Sequence, residues 1–247
     1  MSNRNISQGT IKVLWGISGP KCAKCKTDII LERDGQDPSP IAEMAHIEGL
    51  NPDSARYNPD ITNEERNSIE NLILLCATCH TTIDKDPQKY TVSRLKEIKK
   101  DHEEWVNEQL TSSLPKVTFA ELEVITKYIV STPIHQSEEN LTVIPPGEKI
   151  RKNNLSDEVA NLITKGMIGV DQVKEYLNKN PDSEFSQRLK NGFITKYLEL
   201  KTQNLSGDEV FFEMLNFASN GSRVFSSRAA ALTVLTYYFE ICEVFEK

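Results

Sequence analysis

Four of the five cysteines stand in two Cys-x-x-Cys pairs, Cys22-Ala23-Lys24-Cys25 and Cys76-Ala77-Thr78-Cys79, 51 positions apart. Two cysteines at this spacing let one tight turn present two thiolates on the same side, and two such turns complete the tetrahedral set that zinc prefers. A metal held this way closes a long loop, so its binding energy stabilises the fold. Four free cysteines, or a redox pair, are the alternative. The fifth, Cys242, lies in an apolar helical segment and reads as a core residue. Two imidazoles accompany the pairs. His80 directly follows Cys79; since four thiolates saturate zinc, its ring is left for other work on a backbone pinned by its neighbour. His46 sits between the pairs in Glu43-Met44-Ala45-His46-Ile47, and Asn71 precedes an apolar run, Leu72 to Leu75. His102 and His135, isolated in their surroundings, read as core residues.

The elements that must position these groups can be placed coarsely. An apolar stretch, Ile11 to Trp15, leads into the first Cys pair. Asp34 to Pro40 is polar and turn-rich, and Ile41 to Ile47 reads as a strand, in which side chains alternate faces. A loop punctuated by Gly49, Pro52 and Pro59 follows to about Asn63. Leu72–Leu75 is short, apolar and reads as buried, and after His80 the chain turns helical. Val92, Leu95, Ile98, Trp105 and Val106 fall at helical spacing and predict a helix from Thr91 to Leu110. Arg56, Arg66, Lys85 and Lys89 flank the region and read individually as surface charges.

Two domains are expected, 1–110 and 116–247. Thr118-Phe119-Ala120-Glu121 and Ser206-Gly207-Asp208-Glu209 are capping boxes that open helices. Further helices are predicted near 156–165, 171–178, 184–201, 208–218 and 227–245, whereas 131–154, with Pro133 and Pro145-Pro146-Gly147, reads as irregular. The last helix is apolar around much of its circumference, which requires burial in its own core or in a partner.

Hydrophobic residues make up 38% and charged residues 26% of the 247, a globular composition without a run long enough to span a membrane. The first residues lack the apolar core of a signal peptide. A reducing cytoplasm is the expected compartment, where paired cysteines favour metal over disulfides. The net charge is −7, and residues 1–110 carry 14 Lys and Arg against 18 Asp and Glu. Such a chain is no generic polyanion binder, and any grip on nucleic acid needs a local patch, bound cations or a partner.

The order His46, Asn71, His80, threaded through the two Cys pairs, resembles the HNH endonuclease family in its zinc-bearing ββα-metal form, over about Leu14 to Asp84. The text Arg56-Tyr57-Asn58-Pro59-Asp60 and Glu64-Glu65-Arg66-Asn67 is similar to HNH nucleases of bacterial anti-phage systems. The resemblance implies that His46 is the general base, that Asn71 holds the loop orienting it, and that His80 ligates a divalent cation, Mg2+ or Mn2+. The family commonly places a second ligand, Asp or His, immediately before the first histidine. Ala45 stands there instead. Glu43, two residues earlier on the same strand face, is the expected replacement.

Ala229 to Glu246 resembles the end of C-terminal domains of ABC-three-component defence systems. That implies an adaptor docking on companion proteins, including an ATPase. A stabilising helical domain or a homodimer module is the alternative. The expected fold is therefore α+β: a small zinc-stabilised HNH domain followed by a mainly α-helical domain. The expected function is metal-dependent hydrolysis of DNA phosphodiesters as a defence effector. The other reading is a degenerate HNH module, disabled at Ala45, that only binds nucleic acid or a partner.

Overall fold

Leu72 to Leu75 are buried without a break, each at most 2% exposed, and the first part of the chain is assembled around them. The computed structural model describes residues 5–33, 36–131, 146–241 and 245. The chain folds as two compact units, Met1–Glu108 and Gln109–Lys247.

In the first unit, α1 (Gln8–Ser18) precedes two antiparallel two-stranded sheets. One pairs β1 (Ile30–Arg33) with β2 (Gln36–Pro40), and the other pairs β3 (Ala42–His46) with β4 (Leu72–Cys76). Between β3 and β4 lie a long loop, the one-turn helix α2 (Asn63–Arg66) and a 3-10 turn, Ile69–Asn71. From β4 the chain passes directly into α3 (Ala77–Lys85), then α4 (Val92–Ser113). β3 and β4 pair in a regular register, with Glu43 opposite Leu75, Ala45 opposite Ile73 and His46 opposite Leu72. Both α1 and α3 pack on β4, which is why that strand reads as a continuous apolar run rather than an alternating one. Leu14, Ile29, Ile47, Ile83 and Leu95 join it in one core, each buried side chain worth roughly 1.5–3 kcal/mol in transfer terms.

The second unit is helical: α5 (Phe119–Ser131), α6 (Pro146–Lys152), α7 (Asp157–Gly166), α8 (Val170–Asn178), α9 (Phe185–Lys201), α10 (Gly207–Ala218) and α11 (Phe225–Glu240). From Arg228 to Thr236 every residue of α11 is buried, and α5, α7, α8 and α10 all pack on it. The apolar last helix therefore finds its partners within its own unit. Two glycines let neighbours approach: a Cβ on Gly166 would lie 2.2 Å from the Thr236 hydroxyl, and one on Gly169 2.5 Å from the Thr233 methyl. The capping box at Ser206 forms in full, and at Thr118 the Glu121 carboxylate caps the helix start. Ser206 N–H donates to Glu209 Oε2 at 2.6 Å, and Thr118 N–H donates to Glu121 Oε2 at 2.9 Å.

Ile11–Trp15 belongs to α1, capped by Ser7, whose hydroxyl accepts from Thr10 N–H at 2.9 Å. Three local expectations need correction. The helix expected after His80 already begins at Ala77, because Cys76 caps its start. The turn-rich segment ending at Pro40 contains strand β2, because prolines are tolerated where a strand edge needs no donor. Within the segment read as irregular, Pro146 opens α6, a first-turn position whose amide has no helical partner anyway. α11 ends at Glu240. Cys242 and His135 lie outside the described residues. No helix among the described residues is long and apolar enough to cross a membrane.

Candidate active site and metal centre

The first Cys pair sits on a turn that the backbone ties down: Cys22 N–H donates to Thr27 O at 2.9 Å, Lys26 N–H to Cys22 O at 2.8 Å, and Ala23 N–H to Leu74 O at 2.9 Å. The last bond anchors the turn to β4. The second pair straddles the β4–α3 junction, where Cys76 is the N-cap of α3 and its sulfur accepts from Cys79 N–H at 3.4 Å. The four sulfurs lie within 4.8 Å of one another. Cys25 Sγ and Cys76 Sγ are 3.8 Å apart, the edge of a tetrahedron with metal–sulfur bonds of about 2.3 Å. Burial pushes the Cys22 and Cys79 thiols up. At Cys25 burial acts the same way but is outweighed by hydrogen bonds from Thr27, which bring it to about 6. Thiols so close cannot all ionise without a cation, and the donor set fits zinc.

The histidine expected on the strand, His46, stands at the end of β3, half-buried. Its Nε2 lies 3.2 Å from Asn67 Oδ1. Asn71 is 5% exposed, and its side chain closes the turn after β3. Its Oδ1 accepts from Glu48 N–H at 2.8 Å, while its Nδ2 donates to Glu48 O at 3.1 Å and to Arg66 O at 2.9 Å. Its carbonyl accepts from Ile47 N–H at 2.8 Å. One asparagine thus fixes the two residues after His46.

His80 lies in the second turn of α3. Its Nε2 is 3.3 Å from Asp84 Oδ2, one helical turn on. Two donors cis to each other on an octahedral ion with bonds of about 2.1 Å would be about 3.0 Å apart, so the His80–Asp84 pair fits a divalent cation. The other oxygen of Asp84 accepts from Arg56 Nη2 at 2.6 Å. Arg56 also donates from Nε to Ile47 O at 2.9 Å and from Nη1 to Ile83 O at 3.2 Å. The guanidinium, whose side chain is 5% exposed, therefore links the turn after His46 to the helix of His80. Glu43 is exposed on β3, two residues from Ala45, on the face of the strand opposite that of His46. Among the described residues its side chain makes no hydrogen bond or ion pair.

Three site features escaped the sequence. Asp84 follows His80 at the i+4 spacing that puts side chains together on a helix, a signal available in the text. Arg56 and Arg66 read as surface charges but turn inward. Arg66, 2% exposed, donates to the carbonyls of Gly49 at 2.7 Å, Asn58 at 2.7 Å and Ile61 at 3.1 Å and stacks over Tyr57. It holds the long loop in shape. Asn67 had no signal beyond its proximity to Arg66. His102 is 1% exposed, in line with the core position read for it.

A family model described as C-terminal domain 10 of the ABC-three component (ABC-3C) systems matches residues 120–246, just over half of the chain. The chain belongs to the ABC-3C CTD10 family. A second model, described as HNH endonuclease, matches residues 22–86. That span contains all four cysteines together with His46, Asn71, His80 and Asp84. No curated protein matches the chain. The candidate site is thus contained in the HNH domain. The CTD10 domain supplies none of these residues, and among its described residues no group of three or more His, Cys, Asp or Glu could hold a metal.

Proposed function

We propose that the HNH domain is a nuclease that hydrolyses phosphodiester bonds of DNA, and that the protein is the effector of an anti-phage defence system in a reducing cytoplasm. The observation that carries the reading is the His80–Asp84 pair, 3.3 Å apart, tied through Arg56 to the turn that holds His46. His46 takes the proton of the water that attacks phosphorus, a role suited to an imidazole neutral at working pH. Asn71 keeps the turn beyond His46 fixed during that transfer. His80 and Asp84 would hold Mg2+ or Mn2+, which supplies positive charge against the phosphate and the departing oxygen. Glu43 is the second candidate for the oxygen ligand, since it shares a face with Ala45, where the family carries that ligand. The four cysteines would hold a structural zinc.

The CTD10 domain, in this reading, docks on companion proteins of the ABC-3C system, including an ATPase. With a net charge of −7, delegation of DNA engagement to a partner accounts for an acidic nuclease.

A degenerate, binding-only module is the second reading, favoured by Ala45 and by the engagement of Asp84 with Arg56. Plasmid and linear DNA incubated with Mg2+ or Mn2+ separate the two, with wild type compared with His46→Ala at matched zinc content. Cleavage that vanishes in the variant is expected. Cleavage that persists in folded His46→Ala protein removes His46 as the base. DNA retained but never cut, with the ABC-3C companions present, favours the binding module.

A further inference from the structure

The reactive nitrogen of His46 is fixed by the residue beside it. A neutral imidazole has one N–H and one lone pair, and the hydrogen bond made by one nitrogen decides which atom of the ring can accept a proton. His46 Nε2 lies 3.2 Å from the side-chain oxygen of Asn67. The two ends of an amide look alike, but here the surroundings distinguish them. The other end of the Asn67 amide lies 3.0 Å from Asn63 O. A carbonyl has no proton to give, so the atom facing it is the NH2 group. The atom facing His46 is therefore the oxygen, an acceptor only. His46 Nε2 must carry the proton, and the lone pair that accepts the water's proton is on Nδ1.

We propose that Asn67 is a positioning residue that holds His46 in its Nε2–H tautomer and so makes Nδ1 the proton acceptor. The inference rests on the reading of His46 as the base. Asn67 is itself held firmly. It is the C-cap of α2, and its backbone N–H bonds back to Asn63 and Glu64. The helix is opened by a complete capping box, with Glu65 Oε2 accepting from Thr62 N–H at 2.8 Å. Arg66, next in sequence, is pinned to three carbonyls, and its own carbonyl accepts from Asn71. The Asn67 oxygen is consequently presented to His46 by a rigid turn rather than by a free loop. This is the arrangement needed for a second residue to set a ring's orientation and tautomer.

The test reads the tautomer directly, in the full chain with isotope-labelled histidine. Ring-nitrogen shifts above the titration range distinguish a protonated from an unprotonated nitrogen, and His46 is assigned by the signals lost in His46→Gln. Wild type is expected to show Nε2 protonated and Nδ1 unprotonated. Asn67→Leu, which removes the acceptor, should drive the His46 signals toward a mixture of tautomers. In the cleavage assay it should lower kcat by about tenfold, part of what a general base supplies, with KM and zinc content near wild type. Asn67→Asp keeps an acceptor and adds charge; it should preserve the tautomer and raise the His46 titration midpoint. An unperturbed Nε2–H tautomer in folded Asn67→Leu, or an Nδ1–H tautomer in wild type, overturns the proposal, as does an unmoved midpoint in Asn67→Asp. The nuclear signals report on Asn67 whether or not DNA is cut. A wild type that holds the expected tautomer but does not cleave even with the ABC-3C companions present therefore contradicts the nuclease reading and leaves the Asn67 assignment supported.

Discussion

Arg56 and Asp84 meet at 2.6 Å through Nη2 and Oδ1, and the remaining oxygen of the same carboxylate is 3.3 Å from His80 Nε2. Arg56 thereby aims one oxygen of Asp84 at the imidazole while occupying the other. A cation bound by His80 and Asp84 would thus find its oxygen ligand already oriented. Asp84→Asn keeps the shape and removes the charge. It should weaken Mn2+ affinity by about 10–100-fold, the range seen when a site loses a ligand's support, as measured by calorimetry on zinc-loaded protein. Glu43→Ala should leave that affinity unchanged if Asp84 is the oxygen ligand. A fall with Glu43→Ala and none with Asp84→Asn would reverse the assignment.

Asn71 is a test of positioning by backbone. Replacing it with Leu leaves Glu48 N–H and the carbonyls of Glu48 and Arg66 without their side-chain partner. A buried group left unpaired costs about 1–3 kcal/mol, so the HNH domain should lose roughly 2–5 kcal/mol, read by urea unfolding. Asn71→Asp retains the acceptor for Glu48 N–H but faces two carbonyls without a donor, and should recover only part of the loss.

The four-cysteine site carries more than its loop. Cys76 caps α3, so its sulfur is tied at once to the metal set and to the helix bearing His80 and Asp84. Chelation of zinc, or Cys79→Ser, should therefore lower helix content and abolish Mn2+ binding together. The melting of the CTD10 domain, followed by the aromatic signals of Phe193 and Tyr238, should stay in place. A domain that keeps its Mn2+ affinity after complete zinc removal would show that α3 stands without the metal.

Much of this architecture is legible because its signals are local and strong. The Cys spacing points to the metal set, the apolar run Leu72–Leu75 to a buried segment, and Ser206 with Glu209 to a helix start. What stays hidden depends on tertiary placement. Arg56 and Arg66 carry the same side chain as a surface arginine, and only the path of the loop from Glu48 to Ile61 turns them inward onto Ile47, Gly49 and Asn58. Asn67 gains its meaning from the end of a four-residue helix that no periodicity can announce. Pro146 misleads in the opposite sense: proline marks a loop in isolation but also suits the first turn of a helix. Asp84 is within reach of the sequence, four residues after His80, but an acidic residue at that spacing is so common on exposed helices that only the position of Arg56 singles it out.

His102 offers a prediction from pH. The ring is sealed in the first unit, with Nε2 donating to Ser18 O at 3.0 Å and Nδ1 accepting from Lys26 Nζ at 2.8 Å. Both nitrogens are committed to the neutral form. Burial, and then the charge of Lys26, lower its pKa from the ordinary 6.5 to about 4. In the unfolded chain the same ring protonates near its ordinary value, so between about pH 4 and 6.5 the unfolded state binds more protons than the folded one. Stability from this residue is therefore complete above the ordinary value and is lost as pH falls toward 4. Between pH 7 and pH 5 the loss should be about 2 kcal/mol. His102→Gln keeps a donor for Ser18 O but cannot titrate. Wild type and variant share the thiolates and their acid sensitivity, so the difference between their urea-unfolding free energies isolates the histidine. That difference should favour wild type at pH 7 and shrink by about 2 kcal/mol at pH 5. A gap that does not change with pH would mean that the ring titrates alike in the folded and unfolded states, and that Lys26 does not face it as a donor.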